Sequence, residues 1–107
     1  MSYPIRYSGR ILETTAVEVT ATAVIFKLPD NAFLLAAPRG VMPINVKQDL
    51  PSGTTTTLSV LFETNNQTQG VSVPGGDNLT AADIAKGVYL FYYDKSADIL
   101  QILGVNP

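Results

Sequence analysis

The chain has 107 residues, 46% of them hydrophobic and 15% charged, with no Cys, no His and a formal net charge of −2. That suits one domain with one core; it is too apolar for a disordered chain and has no excess of Lys and Arg for general nucleic-acid binding. Without Cys or His, a Ser-His-Asp triad, a Cys-His pair, a disulfide framework and any His/Cys zinc site are excluded within one chain.

Residues 1–10, MSYPIRYSGR, hold Tyr3, Arg6, Tyr7 and Arg10 and no acid. They read as an N-terminal arm ahead of a domain over 11–107. They lack an apolar h-region, so no secretory signal is expected. No run elsewhere approaches the roughly 18 apolar residues of a membrane span. Residues 11–28, ILETTAVEVTATAVIFKL, are rich in β-branched side chains. Val17 and Val19 share one parity while Val24, Phe26 and Leu28 share the other, which predicts a bulge or a short turn between two strands within Thr20 to Ala23.

Pro29, Asp30 and Asn31 turn the chain, and FLLA and VMPINV follow as two short strands around Pro38, Arg39 and Gly40. Pro43 marks the second as an edge or a strand start, because proline has no N–H to give a ladder. After a turn at Pro51, Ser52 and Gly53, TTTTLSVLF alternates, with Leu58, Val60 and Phe62 inward and Thr55, Thr57 and Ser59 outward. TNNQTQG reads as a polar loop and VSV as a short strand ended by Pro74, Gly75 and Gly76. In NLTAADIAKG, Thr80 is placed to cap a short helical turn with Asp83 three residues on, and Gly87 ends it.

The last segment, GVYLFYYDKSADILQILG, breaks the rule that a strand facing water on one side alternates apolar with polar. A loop over Asp94 to Ala97 sets Tyr93 opposite Asp98, Tyr92 opposite Ile99, Phe91 opposite Leu100, Leu90 opposite Gln101 and Tyr89 opposite Ile102. Directly opposed residues share a face. One face then carries Tyr89, Phe91, Leu100 and Ile102, and the other carries Val88, Leu90, Tyr92, Ile99 and Leu103 with Gln101 among them. A two-layer packing covers only one of these. The second face has Leu90, Tyr92, Ile99 and Gln101 as its candidate contact residues. It could be covered by the chain's own loops or arm, as in a hairpin buried within the monomer, or by another copy of the protein, and another copy is the expectation.

The whole pattern, short strands between closely spaced turns, predicts an all-β, single antiparallel β-sandwich or jelly-roll-like domain with one short helical turn. Catalysis would rest on carboxylates alone. A hydrolase would need two of Glu13, Glu18, Asp49, Asp77 and Asp98 to converge at roughly 5 to 10 Å. Asp94 and Asp98 flank a turn, where Asp satisfies local backbone N–H groups. Asp77 after Gly75 and Gly76 reads in the same way. The two Asn-x-Thr sequons, at Asn66 and Asn78, read as coincidental in a chain with no secretory signal. No enzyme, no metal site and no cofactor is expected.

Three stretches in combination resemble virion structural proteins of tailed bacteriophages. TATAVIFKLPDNAFLL is similar to their strand, leucine-proline, small polar, apolar strand pattern, and SGTTTTLSVLF resembles the Thr-rich strand that follows. NLTAADIAKGVYLFYYDKSADILQILG looks like the C-terminal pattern of phage fibre and decoration proteins, matched at Leu79, Thr80, Asp83, Ile84 and Gly87, then at Tyr93, Asp94, Leu100, Gln101 and Ile102. Lys95 stands where the usual Tyr-Asp-Gly turn has glycine. The resemblance implies a small β module on the outer surface of a phage particle. It would be a homo-oligomer, with a trimer favoured, acting as a capsid decoration, cement or fibre-attachment protein. Tyr3, Arg6, Tyr7 and Arg10 would dock the arm on the major capsid or another virion protein, with no nucleic-acid or membrane partner. The alternative is a surface carbohydrate- or receptor-binding module that uses Tyr92 and the TNNQTQ segment.

Overall fold

A computed structural model describes residues 11–30, 32, 39–65 and 67–104. The arm and the FLLA strand lie outside them. The described chain forms an all-β domain. Its strands are β1 (Leu12–Glu13), β2 (Ala16–Val19), β3 (Ala23–Lys27), β4 (Arg39–Val46), β5 (Ser59–Thr64), β6 (Gln67–Gly70), β7 (Gly87–Asp94) and β8 (Ile99–Gly104), with a 3-10 turn at Ala81–Asp83 before β7. Among the described residues they pair into sheet I, ordered β1-β4-β7-β8, and sheet II, ordered β2-β3-β5-β6. Each sheet is mixed: β1 runs parallel to β4 and β3 parallel to β5, while the other pairings are antiparallel.

The two sheets share one core, because the inward parity of each strand is apolar. Val24, Phe26, Val60 and Phe62 from sheet II join Ile44, Tyr89, Phe91 and Leu100 from sheet I. Phe62 meets Phe91 across the layers edge-to-face at 5.4 Å and Phe26 within its own sheet at 5.8 Å, arrangements that aromatic quadrupoles favour. Tyr89 spans the core and reaches the loop before β7, donating to the Ala85 carbonyl at 2.9 Å and accepting from the Ala85 N–H at 3.0 Å.

The parity change after Val19 is a turn rather than a bulge. Val17 pairs with Phe26 and Val19 with Val24, so β2 and β3 are a hairpin. Thr20 closes it, its Oγ1 accepting from the N–H groups of Thr22 and Ala23. Pro43 sits in the middle of β4, a strand with neighbours on both sides, not at a strand start. Its position is tolerated for a local reason. Thr14 N–H donates to Asn45 C=O at 3.0 Å, so the odd-numbered residues of β4 turn their backbone groups toward β1. Among the described residues β1 pairs only with Ile44 and Asn45, and the missing N–H of Pro43 lies on that side, outside these two rungs.

Four other expectations are corrected. TNNQTQG is not simply a loop: Gln67–Gly70 is strand β6, paired with β5 as Phe62 opposite Gln69 and Thr64 opposite Gln67. TTTTLSVLF becomes a strand only at Ser59, and the residues before it turn, with Leu58 N–H on Thr55 C=O at 3.4 Å. VSV is no strand; it contributes only Ser72, bridged to Asn78 on one side and Gln101 on the other. Thr80 precedes the 3-10 turn without a side-chain bond to its backbone; its hydroxyl donates to Asp83 Oδ2 at 3.1 Å instead.

The last hairpin is shifted by two residues from the sequence reading. Asp94 lies opposite Ile99, Tyr93 opposite Leu100, Tyr92 opposite Gln101 and Phe91 opposite Ile102, with a bulge before Leu90 reaches Gly104. The loop starts one residue later because Asp94 caps it: Oδ1 accepts from Ser96 N–H at 3.1 Å, Ser96 Oγ at 2.7 Å and Ala97 N–H at 3.3 Å. Asp98, at φ 56°, takes the left-handed position that the glycine-free turn requires. A two-residue shift preserves parity, so the two faces carry the residues expected.

Candidate self-association surface

The outward face of sheet I is where Leu90, Tyr92, Ile99 and Gln101 meet. Tyr92 of β7 lies between Val41 of β4 and Gln101 of β8, and Leu90 lies between Pro43 and Gly104. Ile99 is directly opposite Asp94, which is itself opposite Arg39. Val41 is 47% exposed, Ile99 39% and Leu103, at the bulge, 45%. Leu90, Tyr92 and Gln101 are half-buried, and Pro43 is buried. The sequence reading placed Leu103 on this face. It missed Val41, whose signal was its place two residues before Pro43 in VMPINV, and which only the register brings beside Tyr92.

One polar anchor borders this ribbon. Asp94 Oδ2 takes Arg39 Nε at 3.3 Å and the Tyr92 hydroxyl at 3.4 Å. Hydrogen bonds from Ser96, then the Ala97 N–H and the Arg39 charge, hold its carboxyl below the usual aspartate range against the opposing effect of burial. The expected local role of Asp94 is what the turn displays, extended by Arg39 to the start of β4.

The outward face of sheet II is furnished differently. Lys27 bonds Glu63 and lies 3.3 Å from Glu18, and Thr68 donates to the far oxygen of Glu63 at 3.4 Å. These pairs cross β2, β3, β5 and β6 in one row. The bond to Glu63 raises the Lys27 ammonium above its ordinary value, and the same bond lowers the Glu63 carboxyl. Ile25 and Leu61 share this face but are half-buried and paired with each other.

The remaining acids named from sequence are spread over separate elements. Glu13 lies 3.8 Å from Lys47, Asp49 lies 3.8 Å from Lys86, and the Asp77 carbonyl accepts from Val73 N–H at 2.8 Å. Among the described residues no three His, Cys, Asp or Glu gather as a metal site. Between β6 and β8 runs an open cleft of about 370 Å³ lined by Gln69, Ser72, Asn78, Asp98 and Ile99 among others. Its buried amide is already engaged, because Gln69 Nε2 donates to the carbonyls of Gly70 at 3.3 Å and Asp98 at 3.4 Å while Oε1 accepts from Gln67 at 3.1 Å. The arm residues Tyr3, Arg6, Tyr7 and Arg10 lie outside the described residues.

Comparison with protein-family models, with curated proteins and with solved structures finds no match.

Proposed function

We propose that this chain is a non-enzymatic structural protein of a tailed-bacteriophage virion, a capsid decoration, cement or fibre-attachment protein that acts as a homo-oligomer on the particle's outer surface. The observation that carries the self-association is the contrast between the two outward faces. Sheet II presents a row of opposite charges, Glu18, Lys27 and Glu63. Sheet I presents Val41, Leu90, Tyr92, Ile99 and Leu103 between two charged ends, Arg39–Asp94 at one and Glu13–Lys47 at the other. Contiguous apolar surface of this kind marks an interaction site, and the combination of tyrosine with aliphatic side chains suits a subunit interface.

The phage setting rests on the resemblance of the sequence patterns, which also favours a trimer. In that setting the role is cohesion. Copies bury the sheet I face against one another, while Tyr3, Arg6, Tyr7 and Arg10 dock the arm on the major capsid or another virion protein. The test is occupancy on purified host particles. The full chain is expected to saturate a fixed number of sites and to raise the particle's resistance to heat; no binding to any virion component would overturn the assignment.

A surface carbohydrate- or receptor-binding module is the second reading, favoured by the open polar cleft beside Asn78 and Asp98 and by the outward position of Tyr92. The two readings separate on Tyr92. Its ring becomes inaccessible to chemical nitration in the associated form if sheet I is the interface, and stays reactive if it is a sugar platform.

A further inference from the structure

The four strand edges of the described domain are not equally protected. β1 is two residues long. The β8 edge is occupied by Ser72, which gives its N–H to Leu100 C=O and takes the Ile102 N–H, both at 2.9 Å. β6 is polar throughout, and its Gln69 side chain bonds the Asp98 carbonyl next to β8. β2 has none of these. Its sequence, Ala16–Val19 between Thr15 and Thr20, contains no Lys, Pro or Gly, and its single charge, Glu18, is held 3.3 Å from Lys27. Edge strands in soluble proteins ordinarily carry such devices to prevent pairing.

The direction of the free groups follows from the ladder. Thr15 N–H bonds Lys27 C=O and Thr20 N–H bonds Ala23 C=O, each at 2.8 Å, so Ala23, Ile25 and Lys27 face β2. Ala16 and Glu18, opposite Lys27 and Ile25, face back. Val17 and Val19 therefore turn their N–H and C=O groups to the open edge. Among the described residues no strand pairs with that edge, and Ala16, Glu18 and Val19 are exposed.

We propose that β2 is a pairing edge for a second copy of this chain. Two β2 strands run antiparallel about a two-fold axis, Val17 opposite the partner's Val17, and join two copies of sheet II into one continuous sheet. The side-chain pattern selects both the occupant and the register. Centred on Val17, each Glu18 faces the partner's Ala16, the smallest side chain of the strand. Beyond that alanine lies the partner's Lys27, a cation already set between its own Glu18 and Glu63, so the incoming carboxylate extends that row of alternating charges. Centred on Glu18, the same pairing would oppose two like charges, which is unfavourable. Val17 of each copy exchanges two backbone hydrogen bonds, and the Val17 and Val19 side chains extend the inward apolar row across the junction. This interface uses none of the sheet I residues, so it adds a two-fold contact to whatever oligomer that face builds.

The test is amide hydrogen exchange at Val17 and Val19 in the full chain, with mass by sedimentation across a concentration series. Both amides are expected to be protected in the associated protein and free on dilution. Val19→Pro removes an N–H that the monomer's own ladder does not use, and Glu18→Lys installs the charge that natural edges carry. Each is expected to lower the associated mass and to release the Val17 amide; the second serves where the proline disturbs folding. Leu90→Asp, which spoils the sheet I face, is expected to leave Val17 protected. Free exchange at Val17 in associated wild-type protein, unchanged mass in Glu18→Lys, or loss of protection in Leu90→Asp each overturns the edge as an independent interface.

Discussion

Leu90 and Phe91 are neighbours in β7 that point to opposite sides of sheet I: Phe91 is fully buried against Phe62 of the other sheet, and Leu90 is half-buried on the outward face between Pro43 and Gly104. Truncation at the two positions should therefore be read by different instruments. Phe91→Ala removes a core ring and should cost about 3–5 kcal/mol of unfolding free energy in denaturant titration. Leu90→Asp should leave a folded chain and abolish association through sheet I, seen as a drop in mass to no more than the β2-paired dimer with a native circular dichroism spectrum. Unfolding by Leu90→Asp would place that face in the monomer's own core.

Thr14 is the polar residue on which the short β1 depends. It is buried, its Oγ1 accepts from Lys47 N–H at 2.9 Å and bonds the Gln48 side chain, and its carbonyl accepts from Gln48 Nε2 at 3.0 Å. Thr14→Val keeps the shape and strands the Lys47 donor, so stability should fall by roughly 1–3 kcal/mol. Thr14→Ser, which keeps the hydroxyl, should recover most of it.

Acid should weaken the fold through carboxylates whose folded-state values are depressed. For Asp94, bonded by Ser96, Ala97 and Arg39, and for Glu63, bonded by Lys27, the stabilisation is complete above the ordinary carboxylate range, near pH 4, and is lost as pH falls through the lower folded-state value. Lys27, raised by the same Glu63 bond, contributes below its ordinary value of 10.5 and ceases to contribute at more alkaline pH. Asp94→Asn should flatten the acid limb of the stability profile measured by thermal melting from pH 2 to 7. An unchanged limb would remove Asp94 from the account.

Deleting residues 1–10, which the sequence reads as an arm ahead of the domain, should spare folding and self-association. It should weaken occupancy on host particles. Equal occupancy by the shortened chain would take the docking role away from Tyr3, Arg6, Tyr7 and Arg10.

The sequence makes the all-β class legible through residues that show their period: Val24, Phe26, Val60 and Phe62 inward, and a hairpin apolar on both sides. The sheet I face survives a wrong register because the error was two residues, set by Asp94 capping the loop instead of joining it, and parity is unchanged by two. β6 was invisible for a definite reason. Its inward residues are Gln67 and Gln69, whose burial is made affordable by hydrogen bonds to Asp98, Gly70 and Tyr93 that no local pattern announces. The parallel pairings of β1 with β4 and β3 with β5 were likewise unreadable, because they join segments separated by intervening chain. Val41 entered the surface only through the antiparallel pairing of β4 with β7, also distant in sequence, which sets it opposite Tyr92.

The central claim is that another copy covers the outward face of sheet I, and light scattering across a concentration series tests it most directly. The account predicts a closed oligomer that persists on dilution and that Leu90→Asp breaks down to a folded species no larger than the β2-paired dimer. A wild-type chain that remains monomeric at every concentration, or an oligomer indifferent to Leu90→Asp, would contradict it.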